Sequence, residues 1–344
     1  MRPFSVCLSA CAATLIVVSA FGALGACAEP HPVGTYTNPL LPSGPDPWVT
    51  RDGDTYYYMH TLGNKLTIWK TKDITALDKA KRKTVWLPPR SGPNSVSIWA
   101  PELHRLDGKW YLYYTAAAAG FDDDAHRGVF VLENTNADPT DGAWVDKGRV
   151  NTALPGIDGT TFDYEGKRYF IYSAYAGHDS VLSLSRMSNP WTLTGGETII
   201  AIPDQPWERQ GGRQIVEGPE FLAGPYGQLF ITYSASACWS DDYALGLLSA
   251  PKGSDPTDPK VWTKSPAPVL AKSVKNNVYA TGHNGFFTSP DGKTNWIIYH
   301  ANAGPNKGCS PNRAPHIQPF SWGIDGHPVF GEPVKEGVPF TGPR

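Results

Sequence analysis

Apolar positions along this chain of 344 residues fall into one phrase that is used five times. Each copy is a short apolar stretch, a polar turn centred on glycine, and then a run of aromatic and β-branched residues ending near Ser, Thr or Ala. The copies are RDGDTYYYMHT around Gly53, LDGKWYLYYTA around Gly108, YEGKRYFIYSA around Gly166, PYGQLFITYSA around Gly227 and SPDGKTNWIIYHA around Gly292. Runs of this kind on either side of a glycine turn predict β-hairpins. Their spacing of 55 to 65 residues predicts a repeated blade of antiparallel sheet, and the five copies predict an all-β fold, a five-bladed β-propeller. Further blade strands are expected at 65–71 (KLTIWKT), 128–133 (GVFVLE), 180–187 (SVLSLSRM), 243–250 (YALGLLSA) and 316–322 (HIQPFSW). Only 75–83 (TALDKAKRK) reads as helical, as a surface turn, and the Pro/Gly-rich lead-in from His31 to Pro45 cannot be a helix.

A single blade cannot bury both of its faces, so the repeat argues for one domain over residues 34–344 rather than two. The first 28 residues are different: Arg2 precedes an apolar stretch from Leu15 that ends in small residues, the layout of a secretory signal peptide. Two processing sites compete there, an A-x-A site at Ala26–Cys27–Ala28 and a lipoprotein box, Leu24–Gly25–Ala26–Cys27, whose cysteine would carry lipid. Either predicts an exported protein, and contact with a membrane is expected only if Cys27 is lipidated. Cys7, Cys11 and Cys27 belong to the leader, which leaves Cys238 and Cys309 for the folded domain. They sit just after the aromatic strands of the fourth and fifth repeats, and an oxidising compartment predicts a bridge between them. A formal charge of −2 without a Lys/Arg-rich stripe argues against nucleic acid as a partner.

In a propeller the innermost strands converge on one axis, and the segment before each turn carries a different residue at nearly the same offset: Asp46, Ala100, Asp158, Glu217 and His283. Three of the five are carboxylic acids. Hydrolysis of a glycosidic bond needs a proton for a poor leaving group and a carboxylate opposite it. Glu217, in IVEGPEF, stands among apolar residues that would desolvate it and raise its pKa, as a general acid requires. Asp46, in GPDPWV, is stiffened by prolines, and Asp158, in PGIDGTTF, would raise the acid further by like-charge repulsion. Each acid alone is compatible with ordinary turn chemistry. Together, at matching offsets beside apolar residues, they form the signal. Glu102, Glu220, Asp107 and Asp163 are read as structural, and Ala100 leaves room beside Trp99, a candidate pocket wall. A lone histidine such as His283 is more often a hydrogen-bonded core residue than a ligand.

The stretches NPLLPSGPDPWV, SIWAPELHRLDGKWYLYYTA, GIDGTTF, VEGPEF and RAPHIQPFSWGIDGHP, spanning residues 38 to 328, resemble the motifs of glycoside hydrolase family 43. The resemblance implies a five-bladed propeller that hydrolyses arabinose- or xylose-containing plant polysaccharides with inversion. Carried over motif by motif, it implies Asp46 as general base, Asp158 as the residue that tunes and orients the acid, and Glu217 as general acid. Arg313 matches a position that contacts the base, so it and Trp99 are the expected substrate-side residues. His283 matches a channel histidine that in many relatives approaches a cation, often calcium, through water. No cofactor is required. Within the family the chain most resembles exo-acting α-L-arabinofuranosidases on α-1,5-linked arabinan, with plant arabinan or arabino-oligosaccharide as the partner. Endo-arabinanase, β-xylosidase and a non-catalytic sugar-binding propeller are the alternatives. Closure of one end of the site is expected from the loops Phe121–His126 and Trp239–Tyr243.

Overall fold

The aromatic runs do not alternate with polar residues because both of their faces are covered. In the first repeat Tyr56 and Tyr58 pack on one side with Phe287, Trp296 and Ile298, while Tyr57 and Met59 pack on the other with Ile98, Leu103 and Trp110. Successive side chains of a strand point to opposite faces, so one short strand feeds two cores. The computed structural model describes residues 34–343, and the expected leader, with Cys27, lies outside them.

Five four-stranded antiparallel sheets follow one another along the chain, each in sequence order. Their inner strands are Trp48–Asp52, Val96–Leu106, Gly156–Tyr164, Val216–Ala223 and Val278–Thr288. Each hairpins into the aromatic run predicted for it, Thr55–Met59, Lys109–Ala117, Lys167–Ala176, Leu229–Ala235 and Asn295–Ala303. Five hydrophobic clusters hold the assembly, one at each contact between neighbouring blades, including that between the fifth and the first. The five-bladed propeller expected from the repeats is therefore observed. A two-stranded ribbon, Thr35–Tyr36 with Phe340–Thr341, fastens the two ends of the described chain together.

The helical reading of 75–83 is half right. A 3-10 turn covers Ile74–Lys79, started by Asp73, whose carboxylate accepts from the Thr75 amide. Residues Lys81–Trp86 are instead the outer strand of the first blade, paired with Leu66–Thr71. Lysines and arginines along such an edge keep it from recruiting another sheet, and this polar surface hid the strand from an apolar pattern. Cys238 and Cys309 form a disulfide with Cα atoms 5.0 Å apart, joining the loops that follow the second strands of blades four and five.

One backbone device recurs on the axis and positions the site. Asp46, Ala100, Asp158, Gly218 and His283 all have left-handed backbone, with φ between 43° and 56°. In blades two to five this residue sits in a β-bulge of the inner strand, where a residue is released from the ladder and the side chain is re-aimed. The freed amide is caught each time by the preceding blade. The Ala100 amide donates to Thr61 Oγ1 (2.7 Å), Asp158 to Thr115 Oγ1 (3.0 Å) and His283 to Ser234 Oγ (2.7 Å). Gly218 donates to Asp158 Oδ2 (3.1 Å) and Asp46 to His300 Nδ1 (3.1 Å). Five inter-blade bonds thus close a ring around the axis.

Candidate active site

The ring corrects one detail of the sequence reading. The residue of blade four that corresponds to Asp46, Asp158 and His283 is Gly218, and Glu217 stands one position earlier, where blades two and three carry Trp99 and Ile157. Two rows of side chains therefore face one cavity of about 360 Å³, which draws lining residues from all five blades. That volume lies at the low end for small-molecule sites. The bulge row supplies Asp46, Asp158 and His283, and the row before it supplies Trp99, Ile157 and Glu217. All six sequence-predicted site residues, including Arg313, meet here.

Two glycines make this arrangement possible. A Cβ on Gly218 would stand 3.2 Å from the His283 ring at a φ of +52°, a backbone that side chains rarely adopt. A Cβ on Gly282 would fall 2.2 Å from the Tyr243 ring. Tyr243 uses that space to reach the site, and its hydroxyl donates to Glu217 Oε1 at 2.8 Å.

Asp46 is 8% exposed and is surrounded by cations and donors. Thr61 Oγ1 donates to Oδ2 (2.6 Å), Arg313 Nη1 meets Oδ1 (3.2 Å), and the rings of His283 and His300 lie 3.5 Å from Oδ1. Burial pushes its pKa up, but the Arg313, His283 and His300 side chains and the Thr61 hydrogen bond outweigh burial and hold it well below the usual carboxylate range. Asp158 and Glu217 go the other way. Burial raises both; Asp158 is pushed up further by the charges of Glu217 and Asp46, and the hydrogen bond from Tyr243 only partly opposes the rise of Glu217. One cavity thus holds a carboxylate kept ionised beside two carboxyls biased towards the protonated form, which is the separation that acid and base work requires. For His283, burial favours the neutral ring, but Asp46, Asp158 and Glu217 raise its pKa overall. The imidazole of His300 is driven neutral by burial and by Arg313.

Glu102 and Glu220 lie two residues beyond the axial bulge positions, buried, with Glu102 bonded to His104 at 2.9 Å. Asp107 and Asp163 share the Arg168 guanidinium on the turns. None of the four lines the cavity, as the structural reading expected. Among the described residues no group of three or more His, Cys, Asp or Glu side chains could hold a metal ion. His283 takes its neighbours from the acids instead.

The sequence reading missed several residues that shape the cavity. Arg127 lies over the Trp99 ring, 4.4 Å from its centroid, and pairs with Asp124 at 2.7 Å. The other oxygen of Asp124 binds Arg213, whose Nε donates to the His178 carbonyl. Asp124 therefore ties the loop of blade two to the segment that enters blade four, passing over blade three. The disulfide walls the blade four and five side, and both of its cysteines line the cavity. Of the loops expected to close the site, Asp124 and Trp239 do face the cavity, whereas Phe121 is 55% exposed and packs on His126.

Known proteins share the sequence pattern and the fold of this chain. The profile of Glycosyl hydrolases family 43 matches residues 36–328. An extracellular exo-alpha-(1->5)-L-arabinofuranosidase of Streptomyces avermitilis is 35% identical over 325 residues, covering 91% of this chain and 66% of the relative. A protein of the same name from Streptomyces chartreusis is 37% identical over 80% of this chain and 84% of its own length. The crystal structure of an alpha-L-arabinofuranosidase from Lactobacillus brevis superposes with a TM-score of 0.82 at 30% identity, covering 88% of this chain and 98% of that one. This chain, which spans about two thirds of the Streptomyces avermitilis protein, belongs to glycosyl hydrolase family 43.

Proposed function

We propose that the protein is an exported inverting glycoside hydrolase that releases L-arabinofuranose from the ends of α-1,5-linked arabinan or arabino-oligosaccharides. The observation that carries this reading is the gathering of three acids around one cavity, Asp46 set against Arg313 and Thr61 and Glu217 against Tyr243, an arrangement that favours an ionised Asp46 and protonated Glu217 and Asp158. Asp46 takes a proton from a water that attacks the anomeric carbon, and Glu217 protonates the departing glycosidic oxygen on the opposite face of the sugar. Tyr243 donates to Oε1 of Glu217, so the acidic proton belongs on Oε2. Asp158 accepts from the Gly218 amide and so steadies the backbone that carries the acid, and wherever Asp158 ionises, its charge opposes ionisation of Glu217. Protons pass only among carboxyls, water and sugar, and this chemistry needs no cofactor.

Arabinose as the sugar is supported by the names of the Streptomyces and Lactobacillus relatives, and export by the word extracellular in two of those names together with the leader-like first 28 residues. The Asp124 bridge over blade three and the disulfide between blades four and five favour a pocket over an open groove, and hence attack at chain ends. Product analysis on linear arabinan tests this. Arabinose is expected as the dominant product from the first minutes, with viscosity falling slowly relative to reducing ends. Early arabinotriose and longer oligomers would point to an endo-arabinanase instead.

The pH profile provides an independent check. Asp46 must be ionised, and its pKa lies below the ordinary 3.8, so kcat/KM is lost on the acid side only as pH falls beneath the usual carboxylate range. Glu217 must be protonated, and its pKa lies above the ordinary 4.5, so the basic limb is displaced upward. Asp158→Asn removes a carboxyl whose ionisation on the basic side opposes that of Glu217 and should move that basic limb down. An unmoved limb in initial-rate measurements across pH would remove Asp158 from the tuning of the acid.

A further inference from the structure

Resting on the acid and base roles above, we infer that Trp239 is the platform for the sugar on the leaving-group side of the scissile bond. Glu217 delivers its proton to the leaving oxygen, so the leaving group must lie against what flanks Glu217 on blade four. The blade-four residues that line the cavity with Glu217 are Cys238 and Trp239, from the loop after the second strand, and Arg213 and Ile215, from the segment before the first. Thr61, His283 and Arg313 make direct hydrogen bonds or ion pairs with Asp46, where the water attacks.

Trp239 is built for contact with a ligand. The residue is 50% exposed at the cavity wall, yet its indole is tethered. The indole Nε1 donates to the Gly211 carbonyl at 2.8 Å. Gly211 has a φ of +85° and no room for a side chain, since a Cβ would come within 2.8 Å of Ala237 Cβ and 3.1 Å of the indole nitrogen. The loop beneath the ring is fastened three times. Cys238 is bridged to Cys309, the Ala237 amide donates to the Gln210 carbonyl at 3.0 Å, and the Asp241 carboxylate accepts the Asn306 amide at 2.8 Å. A flat apolar face kept in water and already ordered loses little entropy when a partner covers it. The C–H face of a pentose supplies such a partner, while Arg213, anchored by Asp124, presents donors to its hydroxyls.

The test compares ligands that do and do not reach past the scissile bond. The probes are α-1,5-arabinotriose as substrate and free L-arabinose as inhibitor. Trp239→Ala is expected to lower kcat/KM on arabinotriose about tenfold, mostly through KM, the scale of one aromatic contact. Inhibition by arabinose, which fills only the inner part of the cavity, should change far less. Trp239→Leu keeps the apolar bulk without the flat face and should lose almost as much, whereas Trp239→Phe should recover most of the activity. Thermal melting checks that each variant is folded. Equal losses on the two probes, or no loss on arabinotriose, would overturn the platform. A wild-type enzyme that cleaves no arabinofuranoside would overturn the functional reading and the subsite with it, a result readily told apart from the other two.

Discussion

Asp46→Asn is expected to lower kcat/KM on arabino-oligosaccharides by about 10² to 10⁴-fold, the usual worth of a positioned base, while the propeller remains folded. Asparagine is the informative replacement because it tolerates the left-handed backbone that Asp46 adopts, φ 56°. The amide bond to His300 Nδ1 needs only the main chain, and the Asn side-chain oxygen can still accept from Thr61. What is lost is the negative charge and the basic lone pair. Arg313 and His283 then lose the carboxylate they pair with, and the attacking water has nowhere to send its proton. Alanine would add backbone strain to the same chemical loss and blur the result. Initial rates together with a melting curve decide the matter, and activity within tenfold of wild type in a folded Asn variant would mean that another group takes the proton.

Glu217→Ala is expected to show a loss that depends on the leaving group. An acid matters most where the departing oxygen is strongly basic, as in arabinan, and least where it is an activated phenol. The variant should lose about 10² to 10⁴-fold on arabinotriose and far less on a nitrophenyl α-L-arabinofuranoside. On the activated substrate the basic limb of the pH profile should also flatten, because no protonated acid is required. The Tyr243 hydroxyl, which donates to Glu217 Oε1 in the intact protein, is left in the vacated space and cannot replace a carboxylic acid. Equal losses on both substrates would remove Glu217 from the role of acid.

The division between what could and could not be read from the sequence follows the physics of the blade. Five aromatic runs after five glycine turns were legible because strands covered on both faces must be apolar throughout. The axial acids were legible because they fall at nearly the same offset before three of those turns. The exact offset of Glu217 was not, since a bulge is a backbone event and Asp158 and Gly218, which share the left-handed state, have no side-chain chemistry in common. His300 had left a trace: it stands where the third and fourth runs carry Ser173 and Ser234, an exception in an otherwise small hydroxyl position. Tyr243 and Asp124 were legible only as members of loops expected to close the site, and their individual partners left no trace. Tyr243 looked like one more aromatic residue at the start of a strand, and Asp124, Arg127 and Arg213 come together only once loops from different blades meet.

The ring of amide bonds makes catalytic competence a report on assembly. Thr61 is the one partner of Asp46 that comes from the first blade's side of the chain. Arg313, His283 and His300 all belong to the last blade or to the loop within it. A chain with only its first four blades in place would already contain Asp158, Glu217 and Tyr243. It would lack the charges that hold Asp46 ionised and the bond that fixes its backbone. With Asp46 as the proposed base, a propeller that has not shut has no working base, and a misassembled molecule is expected to be silent rather than promiscuous.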